Sequence, residues 1–145
     1  MMNVLSCMAL AAIVAVNEDN DHYFCTRGEE GMTVAALEAY VDRMATGKIT
    51  HFFMCPSGQR TSYDSKAWEP IWTALGEPGG ADMRWAKHAK LLRDRGIDPY
   101  EVWIRRCRRN GISPWLSPRM NDGHNADREW PLRNTTFWRT RTDLH

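Results

Sequence analysis

Three stretches of the chain share one pattern: a mostly apolar run that empties abruptly into polar residues. Residues 10–16 run into Asn17-Glu18-Asp19-Asn20-Asp21-His22. Residues 49–55 run past Pro56 into Ser57-Gly58-Gln59-Arg60-Thr61. Residues 112–117 run past Pro118 into Arg119-Met120-Asn121-Asp122-Gly123-His124. Short continuous apolar runs are the signature of strands covered on both faces. The expected strands are therefore 11–16, 49–55 and 112–117.

Between them the period changes to that of helices. After a polar loop broken by Gly28 and Gly31, Thr33 is placed to cap a helix, and Val34, Leu37, Val41 and Met44 follow on one face. Gly47 stands where a left-handed glycine would end that helix. Trp68, Ile71, Trp72 and Leu75 predict a short helix near Pro70, and residues 77–80 a loop. A helix over 83–95 is closed by Gly96. Asp98 then caps another, with Pro99 at its first position, an apolar stripe of Tyr100, Trp103, Ile104 and Cys107, and Gly111 at its end. Residues 134–144 predict a last helix.

Strand, helix, strand, helices, strand is the order of an α/β fold with parallel strands and right-handed helical crossovers. A closed eight-stranded barrel takes about 250 residues, whereas three strands occupy these 145. The chain is therefore expected to be the first three β/α units of a partial (β/α)8 TIM barrel, one domain over 1–145 with 1–9 as a disordered lead-in. A complete small α/β sheet is the competing architecture.

The formal net charge of +1 gives no global reason to expect a nucleic-acid partner. The charge is unevenly spread: residues 1–83 carry 5 basic and 11 acidic side chains, residues 84–145 carry 14 and 7. Arg105-Arg106-Cys107-Arg108-Arg109 is the densest basic run. Its apolar neighbours take the buried side, so it reads as a solvated helix face, with a nucleic-acid-binding α/β domain as the lesser alternative. The four cysteines contain no CxxC, and Cys7 and Cys55 read as small core residues. No Lys or Arg precedes Arg27, so the charged start of a secretory signal is missing. The apolar start is also shorter than the roughly 20 residues of a membrane helix, so no membrane partner is expected. The compartment is left open.

The segments Asn17-Glu18-Asp19-Asn20-Asp21, Gly96-Ile97-Asp98-Pro99, Arg119-Met120-Asn121-Asp122-Gly123-His124 and Phe137-Trp138-Arg139 together resemble the glycoside-hydrolase-like TIM-barrel proteins of the bacterial group called glycosyl hydrolase-like 10. The resemblance runs from about Val14 to the C-terminus. It implies a carbohydrate-active barrel, with this chain as its N-terminal portion. Related barrels take their acid/base and nucleophile from the fourth strand and later, beyond the three strands read here.

Glycoside hydrolysis needs two carboxylates in different environments, about 5–5.5 Å apart for retention and roughly 6.5–9.5 Å for inversion. Asp19 and Asp122 are the candidates, Asp122 the better one. Asn17, Asp21, Gln59, Arg60, Arg119, Asn121 and His124 are candidate sugar-binding residues, since amides and guanidinium groups suit hydroxyls and carboxylates. Each has a plainer reading: Asp and Asn are common where strands enter turns, and Arg119 can simply pair with Asp19 or Asp122 and organise the loops. Asp21 with His22, or Asp122 with His124, lacks the rigid spacing of a metal site, and neither metal nor cofactor is expected. Trp68, Trp72, Trp130 and Trp138 lie in irregular segments where one or two can face a ligand, while Trp85, Trp103 and Trp115 are expected in the core. The expected partner is a carbohydrate, held in a catalytic or a merely binding cleft, with self-association through uncovered barrel edges.

Overall fold

The computed structural model describes residues 12–77, 80, 83–119, 123, 127, 129–130 and 134–144. In chain order the elements are β1 (Ala15–Glu18), α1 (His22–Thr26), α2 (Val34–Thr46), β2 (His51–Met54), α3 (Arg84–Asp94), α4 (Pro99–Arg109), β3 (Ser113–Leu116) and α5 (Thr136–Thr140). Short pieces of tighter helix lie at Glu29–Gly31, Ile71–Gly76 and Thr142–Leu144. The strands form one open sheet in the order β1-β2-β3, both pairs parallel. The register is unbroken: Val16 faces Phe52 and Phe52 faces Pro114, then Glu18 faces Met54 and Met54 faces Leu116. The expected α/β fold with parallel strands is what forms, as an open sheet that does not close.

The helices start where their chemistry says they should. Thr33 accepts from the Ala36 amide with its hydroxyl at 3.2 Å, and Asp98 accepts from the amides of Tyr100 and Glu101. Pro99 occupies the first turn of α4, where its missing N–H costs nothing. Gly96 and Gly111 end α3 and α4 with positive φ, 68° and 71°.

One aromatic group fills the space between the sheet and the helices. Trp103 of α4 lies 5.2 Å from the ring of Tyr23, 5.5 Å from Tyr100 and 6.0 Å from Phe52, all edge-on. Leu37, Val41, Met54 and Cys107 complete the core. Edge-to-face rings gain beyond their buried area, by about 0.5–1.5 kcal/mol per pair.

Several expectations are corrected. The first strand is Ala15–Glu18 rather than 11–16, so Asn17 and Glu18 belong to the strand. The cause is Glu18 itself, 3% exposed, whose carboxylate accepts from the Tyr40 hydroxyl and from Nδ1 of His22 at 3.0 Å. A carboxylate satisfied in this way is tolerated inside the fold, and pairing with β2 continues through it. The polar loop after β1 contains α1, which buries Tyr23 and Phe24 completely or nearly so. Gly47 has φ −78°, and the left-handed residue is Lys48 at φ 58°. The helix near Pro70 is only the tight turn Ile71–Gly76. The strands are not covered on both faces. Ala15, Asn17, His51, Phe53, Ser113 and Trp115 share the face away from the helices, and Trp115 is 52% exposed rather than in the core. Phe53 stacks between His51 and Trp115 on that face.

On the outside, α2 and α4 are joined by Asp42. It accepts from Nε and Nη2 of Arg106, each at 2.7 Å, and from the Asn110 amide at 2.8 Å. These donors hold its carboxyl at about 2, below its ordinary 3.8. A depressed carboxyl contributes stability above its unfolded value and loses it as the pH falls through the folded one. The urea midpoint of the wild type should therefore fall more steeply than that of Asp42→Asn as the pH drops from about 4 to about 2. Parallel curves for the two proteins would show that this contact carries no pH-dependent stability.

Candidate functional site

Parallel pairing puts the C-terminal ends of all three strands at one edge of the sheet. Backbone bonds tie the outgoing chains together there: Cys55 N–H to the Glu18 carbonyl at 3.0 Å, Ser117 N–H to Met54 at 2.8 Å and Arg119 N–H to Ser57 at 3.1 Å. Side chains continue the link. Nη2 of Arg119 donates to both carboxylate oxygens of Asp19 at 2.6 Å. Asp19 and Arg119, expected to converge, are therefore in contact across the ends of β1 and β3.

Beside this pair a groove of about 460 Å³ opens, lined by Gln59, Tyr63, Trp68, Arg119, Phe137 and Trp138 among others. Trp68 is 43% and Phe137 48% exposed, with ring centres 5.8 Å apart and planes 50° apart. Trp68 is held in place by its indole N–H, which donates to the Gln59 carbonyl at 2.7 Å. Thr135 caps α5 by accepting from the Trp138 amide at 3.3 Å, which sets the direction of Phe137 and Trp138.

Arg60 builds the floor. It is 3% exposed and donates to Glu69 and to the Asn134 carbonyl, each at 2.7 Å, and to the Thr73 hydroxyl. Glu69 uses its other oxygen to accept from the Thr136 amide at 2.7 Å. The Arg60–Glu69 pair, buried on the arginine side, thus ties the start of α5 to the loop after β2 through its bonds to Asn134 and Thr136, and Arg60 acts by positioning the groove wall. Breaking such a pair leaves a buried charge without compensation, typically at about 3–5 kcal/mol. A second polar layer lies below: the Ser62 hydroxyl donates to the Asn20 carbonyl at 3.0 Å and accepts from the Trp85 indole at 2.9 Å, while the Tyr100 hydroxyl donates to the Cys55 carbonyl at 3.1 Å.

The other candidates fall in different places. Gln59 lines the groove. Asn17 is exposed on the uncovered sheet face, opposite Phe53. Asp21 precedes α1 without a side-chain cap bond, and its carbonyl accepts from the Cys25 amide at 2.9 Å. Asn121, Asp122 and His124 lie outside the described residues. Tyr63 was not singled out by sequence reasoning, and Phe137 and Glu18 were named only within the segments that carry the resemblance, not as site residues. For Glu18 the signal was its period-two offset from Val16, which puts both on the helix-facing side. Phe137 sits beside Trp138 in a segment too short for a period to show.

Among the described residues no group of three or more His, Cys, Asp or Glu is placed to hold a metal. Burial pushes the thiols of Cys25, Cys55 and Cys107 upward, Cys107 to about 11, which leaves them poor nucleophiles. Three of the arginines of α4 face carboxylates: Arg106 bonds Asp42, while Arg105 and Arg109 lie within 4.0 Å of Glu38. No described helix is long and apolar enough to cross a membrane. The chain matches no protein-family model and no curated protein.

The groove can therefore do two things chemically. Its aromatic faces can take the apolar face of a ring, and its amide, hydroxyl and guanidinium groups can bond the ring's edge. Asp19 supplies a carboxylate next to it, already engaged by Arg119.

Proposed function

We propose that this chain binds a glycan in the groove at the strand ends, as part of a carbohydrate-active barrel of the glycoside-hydrolase-like kind. The observation that carries the reading is the pairing of exposed Trp68 and Phe137 with Gln59 and Arg119 in one hollow. A pyranose has an apolar face and a hydroxyl rim, and a wall of aromatic rings with amide and guanidinium groups at its edge matches both. The resemblance carried by Asp19, by the Arg119–His124 run and by Phe137-Trp138-Arg139 points the same way. On this reading Asp19 and Asp122 supply the carboxylates near the scissile bond, with Asn121 and His124 as further candidates beside them.

A non-catalytic binding role has one specific observation in its favour. Both oxygens of Asp19 accept from Arg119 at 2.6 Å, an arrangement that holds a loop and engages the carboxylate within the protein. Calorimetric titration with a panel of neutral oligosaccharides, run beside a reducing-sugar assay, separates the roles. Saturable binding is expected, weakened about threefold to tenfold by Trp68→Ala, the worth of one ring contact. Binding without released sugar favours the non-catalytic role. Turnover abolished by Asp122→Ala favours the enzyme. The absence of binding to any glycan contradicts the proposal.

The same reading gives the uncovered sheet face an occupant. Phe53 and Trp115 stand where the inward layers of a closed barrel would lie, and among the described residues no further strand pairs with the outer edges of β1 and β3. Without further strands against it, such a face draws copies of the chain together. Sedimentation equilibrium should show concentration-dependent association that Trp115→Lys reduces. A monomer at all concentrations would contradict the idea.

A further inference from the structure

A second hollow lies away from the strand ends, between the segment from α1 to Gly31 and α2. It has a volume of about 360 Å³ and is lined by Tyr23, Arg27, Glu30, Gly31, Ala36 and Arg43 among others. Most described arginines of this chain have a carboxylate within 4.0 Å, Arg60, Arg106 and Arg119 among them. Arg27 and Arg43 have none among the described residues, and they share this hollow. Arg27 is anchored rather than loose. Its guanidinium lies 4.3 Å from the centre of the Tyr23 ring and 4.5 Å from that of Tyr40, and Nη1 donates to the Thr26 hydroxyl at 2.6 Å.

Two acids stand near, and one of them, Glu30, lines the hollow itself. Glu30 folds back onto Gly28, where a Cβ would collide with its carboxylate. Glu18 is occupied by Tyr40 and His22. The phenol of Tyr23 reports the local field: burial pushes it up to about 12, against the pull of Arg27 and Arg43. Its hydroxyl is committed to the Gly31 carbonyl at 2.8 Å, which fixes the back wall.

We propose that this hollow is an anion site in which Arg27 and Arg43 together grip a phosphoryl or sulfate group. Guanidinium groups bind tetrahedral oxyanions through paired N–H donors. Two of them without carboxylate partners, one fixed on an aromatic platform, match a doubly charged group better than a single carboxylate. The ligand class is a phosphate or sulfate, free or carried by a small molecule such as a sugar. The site is separate from the glycan groove and stands whether or not that groove binds sugar.

The test is calorimetric titration of the full chain with inorganic phosphate, inorganic sulfate and a hexose 6-phosphate, each at constant ionic strength. Saturable one-to-one binding is expected, at least about tenfold weaker in Arg43→Gln and in Arg27→Gln, the effect of losing one charge-assisted contact. Arg109→Gln, whose guanidinium lies near Glu38, should bind as the wild type does. Tighter binding of the hexose phosphate identifies a sugar-borne group. Equal affinity for all three identifies the bare oxyanion as the ligand. Arg43 is exposed and bonds to no side chain among the described residues, so its variant folds even if Arg27→Gln, which loses its stacking on the tyrosines, does not. Heats that do not saturate, or phosphate binding unchanged in Arg43→Gln, would overturn the proposal.

Discussion

Parallel pairing of three four-residue strands in one unbroken register is the constraint on which everything else rests. It sends Asp19, Ser57 and Arg119 out of the same edge of the sheet, where a backbone bond and an ion pair join them. An antiparallel pair, or a slip of one residue, would scatter them: a one-residue shift turns every side chain of a strand to the opposite face. The register is held by what the helix-facing side buries. Phe52 and Met54 are fully buried on that side, and Glu18 is buried there with its carboxylate satisfied.

The groove depends on a second layer of order. Its walls come from the loop after β2 and from α5, separated by about half the chain, and neither has a core of its own. Arg60 and Glu69, paired within the loop, join them by bonding the Asn134 carbonyl and the Thr136 amide, and Arg139 adds a bond to Glu77 at 2.7 Å. Burying a guanidinium that makes three bonds to neighbours is a costly way to hold a loop unless the geometry matters. Here it fixes Phe137 and Trp138 against Trp68, which turns two exposed segments into one recognition surface.

The sequence was most readable where local chemistry decides the outcome. Thr33 and the Asp98-Pro99 pair mark helix starts by capping, Gly96 and Gly111 mark ends by their left-handed backbone, and the stripe of α4 announces which way Trp103 points. It misled where a partner distant in the chain decides. Glu18 looks like a loop residue until Tyr40 and His22 satisfy it inside the fold. Lys48 takes the left-handed position that Gly47 was fitted for. Trp115 is the kind of residue expected in a core, yet no described element covers its face of the sheet. In the site, Asp19 was one of two partners read for Arg119, the other being Asp122, and parallel strand direction is what brings the pair together. The role of Arg60 was not legible, because a buried arginine and a ligand-gripping one carry the same letter, and only Glu69 and Asn134 distinguish them. Phe137 was marked only through the resemblance, for want of a period.

Amide chemical-shift mapping with a bound oligosaccharide tests the central claim most directly, because it reports where a ligand sits without assuming any reaction. The account predicts shifts concentrated at Gln59, Thr61, Arg119, Thr135 and Trp138, the residues gathered at the C-terminal ends of the strands. Shifts confined to the uncovered face around Phe53 and Trp115, or spread evenly over the helices, would contradict it.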